Sequence, residues 1–341
     1  MTNSIFKGHQ ARICGLFIWA LCCLSSGSLA FSDPTQNQAT TSNPVVIITK
    51  QNPPPLSSHV MTYHHRLGMV VLFGGSDPDR RLLNTLWGWD GTNWHVLSEE
   101  GPAPRIHTSM AYDKKRDRLV IYGGVKSREE SFGDIWEWDG ETWQEQTLSS
   151  ASPGIRDHHA MVFDPITEAV LMFGGQDASD SYPPDTWAWD GNQWRQRATE
   201  GPEPRSTHRL SYNTDQKQVM LFGGWGKDYL LDDTWIWRGS SWFLLEDQGP
   251  SARGATRSAY DQARKQLVLF SGFVDGQING ETWVHAQNGW RELTVTAPPP
   301  RNVHAMAYDP IRKHVVLYGG IGASGRVGDL WAWDGKAWIE K

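Results

Sequence analysis

Six Gly-centred marks divide the chain: Gly74-Gly75, Gly123-Gly124, Gly174-Gly175, Gly223-Gly224, Ser271-Gly272 and Gly319-Gly320. Measured on the second residue, they recur at spacings of 49, 51, 49, 48 and 48. A fixed period in this range belongs to solenoids and propellers. Each mark ends an apolar, β-rich run such as Leu119-Val120-Ile121-Tyr122. Downstream of it lies Trp-x-Trp-Asp-Gly-x-x-Trp, complete at Trp87 to Trp94, Trp136 to Trp143, Trp187 to Trp194 and Trp331 to Trp338. The fourth copy keeps Trp235, Trp237 and Trp242 around Arg238-Gly239, and the fifth keeps Trp283, His285 and Trp290.

Each period reads as four strands. The first ends at Tyr-Asp, the second runs into the diglycine, the third carries the Trp pair, and Asp-Gly turns it into a fourth. No stretch sustains helical periodicity. Six such units predict an all-β, six-bladed β-propeller with four antiparallel strands per blade, over residues 45–341. Of 19 Trp, 17 fall on repeat positions, so they are expected between blades. A lone blade has two apolar faces that neighbours alone can cover.

These motifs resemble the kelch repeat: diglycine, the Trp89-Asp90 pair, the later Trp94, and Arg-His entries such as Pro204-Arg205-Ser206-Thr207-His208. The chain carries Trp where kelch repeats usually have Tyr, and its last turn is shorter. The propeller of galactose oxidase is of this kind, and the chain resembles an exported, bacterial-type member. The resemblance implies ligands on the face bearing the second-to-third strand loops, and at the channel mouth.

The first thirty residues have the layout of a signal peptide. Lys7 and Arg12 precede the apolar run Ile13 to Leu24, and Ser28-Leu29-Ala30 supplies small residues for cleavage. A flexible linker is expected over 31–44. Cleavage after Ala30 removes Cys14, Cys22 and Cys23, leaving no thiolate for catalysis or metal binding. That excludes the Cys-Tyr cofactor of galactose oxidase, so no cofactor is expected. The location implied is secreted or periplasmic, without a membrane span in the mature chain. A net charge of −6 argues against nucleic acid as a partner.

Strand alternation puts the second-to-third loops and the blade connections on one face, where the sequence is most irregular. Variable loops on a rigid scaffold are the usual place for binding. Trp225 stands outside the repeat pattern there, and with Tyr229, Tyr182 and Phe273 it forms a candidate aromatic rim. Arg105, Arg156, Arg205, Arg253 and Arg301 mark five blade entries, with Leu56 in the sixth slot. Their repetition points to structural clamps, with a basic ring for an acidic ligand as the alternative. His107 and His158 occupy a slot filled elsewhere by Ser58, Thr207, Ala255 and Val303, and this unequal use is a functional hint.

His59, His159, His208 and His304 share the next slot, one per blade, too dispersed for a metal site. Gly320 to Gly325 matches a dinucleotide fingerprint but opens no helix. The reading is a non-catalytic extracytoplasmic scaffold for a protein or glycan partner. The alternative is a sugar-processing enzyme of the sialic-acid-mutarotase type, using His and Arg at the channel mouth. Finally, Val45 to Thr49 has the spacing of a fourth strand, which predicts that it helps to close the sixth blade.

Overall fold

The computed structural model describes residues 49–341 except 128–129, 149–150 and 246–247, with side chains from residue 51. The leader, the linker and Val45 to Ile48 lie outside the described residues. No helix among the described residues is long and apolar enough to cross a membrane.

Six four-stranded antiparallel units follow one another in the chain. Blade three is representative, with strands Ala160–Asp164, Ala169–Phe173, Thr186–Trp189 and Trp194–Ala198 in that order. The first strands form the innermost ring, Val60–His64 of blade one lying beside both Ser109–Asp113 of blade two and Ala305–Asp309 of blade six.

The repeat residues make the joints between blades. The last Trp of each blade packs on the aromatic that precedes the diglycine of the blade before. The pairs run Trp143–Phe73, Trp194–Tyr122, Trp242–Phe173, Trp290–Phe222 and Trp338–Phe270, with centroids 5.0–5.5 Å apart. Trp94 on Tyr318, at 5.3 Å, completes the circle from blade one to blade six. Half of these indoles donate Nε1 to a Thr on the preceding blade: Trp242 to Thr186, Trp290 to Thr234 and Trp338 to Thr282. Burying such an aromatic is worth roughly 4–6 kcal/mol gross, so these joints dominate the cohesion of the ring.

The N-terminal strand is not where its spacing placed it. Thr49–Lys50 pairs with Trp94–Ser98 as a fifth, outer strand of blade one. Blade six has a fourth strand of its own, Trp338–Glu340. Both strands satisfy the repeat phase, but the outer edge of blade one is also free to pair, and an eleven-residue spacing does not distinguish the two edges.

Closure falls instead to residues 53–58. Tyr318 donates its hydroxyl to the Pro53 and Pro54 carbonyls at 2.8 and 2.9 Å, and the Gly320 amide reaches the Leu56 carbonyl at 2.7 Å. Tyr318→Phe should therefore cost about 1–3 kcal/mol, the penalty of stranding buried acceptors. Urea denaturation reads this directly, and an unchanged midpoint would show that the hydroxyl contributes nothing to closure.

Candidate functional site

The blade entries and the loops beyond the diglycine share one face, as strand alternation requires. Each entry residue pairs with the residue just after its own blade's diglycine: Ser57 with Ser76, Ile106 with Val125, Asp157 with Gln176, Ser206 with Trp225, Gly254 with Phe273 and Asn302 with Ile321. The fit is close enough to require glycine. A Cβ on Gly174 (φ +60°) would lie 2.6 Å from the Arg205 carbonyl, and one on Gly175 (φ +90°) 2.5 Å from that of Asp157.

The entry arginines are staples. Arg205 is fully buried; its guanidinium takes both oxygens of Asp233 at 2.5 and 2.7 Å and donates to the Gly223 and Glu203 carbonyls. Its own carbonyl accepts the Gly175 amide of the preceding blade at 2.9 Å. Arg205 thus holds one blade by its backbone and the next by its side chain, and the carbonyls of Arg105 and Arg253 take the Gly75 and Gly224 amides likewise.

Arg105 pairs with Asp134, Arg156 with Asp185 and Arg301 with Asp329 through both oxygens, whereas Arg253 gives Glu281 a single contact from Nη2 at 2.7 Å. Each of these carboxylates also accepts the indole N–H two residues on, as Asp134 does from Trp136 at 2.8 Å. Arg105 and Arg156 are therefore engaged within the ring.

The slot two residues after them forms a collar around the axis. Ser58, His107, His158, Thr207, Ala255 and Val303 all have positive φ, between +47° and +58°. Their amides point around the axis in one sense: His107 N to Ser58 O, His158 N to His107 O, Thr207 N to His158 O, Val303 N to Ala255 O and Ser58 N to Val303 O. Ala255 completes it by donating to the Thr207 hydroxyl at 3.4 Å. This narrows the axis at the loop face to a small space of about 20 Å³, lined by the collar residues together with Arg209 and Arg257.

Two site residues meet on the collar. The His107 and His158 rings stack at 3.8 Å, and His158 Nδ1 contacts Asp157 Oδ1 at 2.5 Å. Burial, then the charges of His158, Arg257 and Arg209, hold His107 well below the ordinary histidine range. Beside them a groove of about 590 Å³ runs between blades two and three, bordered by Ile155, Asp177 and Asp180.

A second feature lies across the ring. Trp225 rests on Gly254 of blade five, with its ring 5.9 Å from that of Phe273, and stays about one-third exposed. Tyr229, half exposed, donates its hydroxyl to Glu203 at 2.7 Å. Tyr182 sits half-buried on the blade three loop, away from this pair in sequence and blade.

The axis is open from the other face. There a cavity of about 340 Å³ is ringed by one aromatic per blade: Tyr63, Tyr112, Phe163, Tyr212, Tyr260 and Tyr308. Above it the channel narrows past Met61, Met110, Met161 and Met306 to a space of about 80 Å³ walled by Arg209 and Arg257. Sequence reading missed both arginines. Their slot holds Val60, Ser109, Ala160 and Ala305 elsewhere, and that irregularity was the available signal.

His59, His159, His208 and His304 are buried against the second-strand aromatics of the preceding blades. Among the described residues no group of three or more His, Cys, Asp or Glu is placed to hold a metal. The Gly320 to Gly325 segment is a two-stranded turn, Ile321–Gly322 against Gly325–Arg326.

The geometry defines a six-bladed propeller whose joints are diglycine, tryptophan and arginine. Residues 137–244, from the end of blade two through blade four, match the family model of the KLHDC2/KLHL20/DRC7 Kelch-repeats domain. This match and the six blades together support a kelch-repeat family.

Proposed function

We propose that the chain is an extracytoplasmic, non-catalytic scaffold that recognises a protein partner through the loop face. One observation carries the reading: Trp225, about one-third exposed, leans on the half-buried Phe273 ring at the loop face. A loop face with an aromatic anchor suits a macromolecular partner, because anchors of this type supply most of the energy at protein interfaces. Kelch propellers commonly bind proteins. The leader layout of residues 1–30 supports export.

His107 and His158 border the groove and would add polar contacts. The enzyme alternative has weaker support, since Arg105 and Arg156 are engaged by Asp134 and Asp185. A glycan would stack on the same Trp225.

Trp225→Ala tests the reading. With an unchanged melting temperature, it should weaken retention of partners from an envelope extract by about tenfold or more. Parallel thermal-shift screening against neutral and acidic saccharides separates a glycan from a protein. If Trp225→Ala combined with Phe273→Ala retains every species that the unaltered chain retains, the loop-face reading fails.

A further inference from the structure

We propose that the axial channel is an oxyanion site, with the anion held between the guanidinium groups of Arg209 and Arg257. This site lies beneath the collar and opens toward the opposite face, its arginines also lining the small space inside the collar; it does not rest on the loop-face reading.

The two arginines differ from the five at the blade entries, each of which has a carboxylate at 2.5–2.8 Å. Among the described residues Arg209 and Arg257 form no ion pair. Arg209 Nε donates to the Thr256 carbonyl at 3.2 Å, and Arg257 Nη1 donates to that same oxygen at 2.8 Å. Two cations therefore converge on one neutral acceptor, with Arg257 only 8% exposed. Burying a charge without a counter-charge is among the costliest arrangements in a protein. Burial alone pulls Arg209 down to about 10, and burial followed by the charge of Arg209 pulls Arg257 well below the usual range.

The fold does not require these cations. The equivalent position is Val60, Ser109, Ala160 or Ala305 in the other four blades, and the propeller builds the same first strand from each. What the arginines share is the enclosed space of about 80 Å³ between them. Ser109 and Ser258 line it as well, the latter hydroxyl 3.0 Å from that of Ser211. Paired guanidiniums with serine hydroxyl donors around them match the geometry of a phosphate, sulfate or carboxylate group. Such a group arrives either as a free ion or as the end of a slender ligand whose body fills the aromatic mouth.

The experiment titrates inorganic phosphate, at millimolar concentration and constant ionic strength, against the full chain and against Arg209→Ala/Arg257→Ala. The double variant should fold, because Ala occupies this slot in blades three and six. At a hundredfold excess over its dissociation constant, the anion should raise the melting temperature of the unaltered chain by roughly 4 °C or more. The double variant should show no rise, and Arg257→Ser, which copies blade two, should lose most of it. Equal behaviour of the unaltered chain and the double variant would overturn the proposal, as would a flat titration of the unaltered chain. Phenyl phosphate identifies the source: tenfold tighter binding than inorganic phosphate assigns the site to the end of a larger ligand, and equal binding to the free ion.

Discussion

Replacing Arg205 with Leu should destabilise the propeller by about 3–5 kcal/mol, the cost of stranding one partner of a buried ion pair. The change removes four hydrogen bonds at once, two to Asp233 and one each to the Gly223 and Glu203 carbonyls. Asp233 is left behind with the indole of Trp235 as its remaining side-chain donor. Burial raises the pKa of that carboxyl, but Arg205 and Trp235 together bring it below its ordinary value. Without Arg205 it must either stay charged and unpaired or take up a proton.

The ring itself contains the control. Blade one has Leu56 in the arginine slot and Thr85 in the carboxylate slot, two residues before Trp87. Arg205→Leu with Asp233→Thr copies that arrangement and should recover most of the loss. Denaturant unfolding of the two single variants and the double variant gives the coupling energy. A cost below about 1 kcal/mol for Arg205→Leu, or strict additivity of the pair, would mean that the staple is incidental.

Most of this was legible as repetition. The diglycine, the Trp triad and the entry arginine recur because each meets a neighbouring blade, so periodic contacts leave periodic residues. The partner carboxylates were equally visible, as Asp134, Asp185, Asp233, Glu281 and Asp329 keep one register. Thr85 departs from it in the blade where Leu56 replaces arginine. The slot of His107 and His158 tolerates different residues for a physical reason. Its contribution to the collar is made by backbone amides, so Ser, His, Thr, Ala and Val all serve. Closure was illegible because strand pairing uses backbone groups that either edge can supply. Arg209 and Arg257 were hidden inside strands that otherwise follow the repeat, where a comparison along one slot exposes what a scan for motifs passes over.

Acid should unfold this protein steeply, beginning just below pH 6.5. His59, His159, His208 and His304 have almost no exposed surface. Burial is the main force lowering their pKa values, followed by the nearest arginine: Arg257 for His59 and His304, Arg156 for His159 and Arg205 for His208. His59 and His159 fall to about 3. In the unfolded chain the same side chains titrate near the ordinary histidine value of 6.5.

Between those limits the unfolded state binds protons that the folded state refuses, so stability is complete above pH 6.5 and declines as pH falls. Each histidine adds a slope of about 1.4 kcal/mol per pH unit once its unfolded form is protonated. Four acting together remove on the order of 5 kcal/mol between pH 6 and 5, a large share of the 5–15 kcal/mol that typically holds a domain folded. His159→Thr isolates one of them. Thr fills this slot in blades two and five, where Thr108 donates to the Tyr122 carbonyl at 2.8 Å and Thr256 to that of Ser271, also at 2.8 Å. Urea unfolding of both proteins at pH 7.5, 6.0 and 5.0 should show the variant losing stability more slowly by one histidine's slope. Parallel pH profiles would mean that His159 takes up its proton without unfolding, and that the acid limb belongs to the carboxylate staples instead.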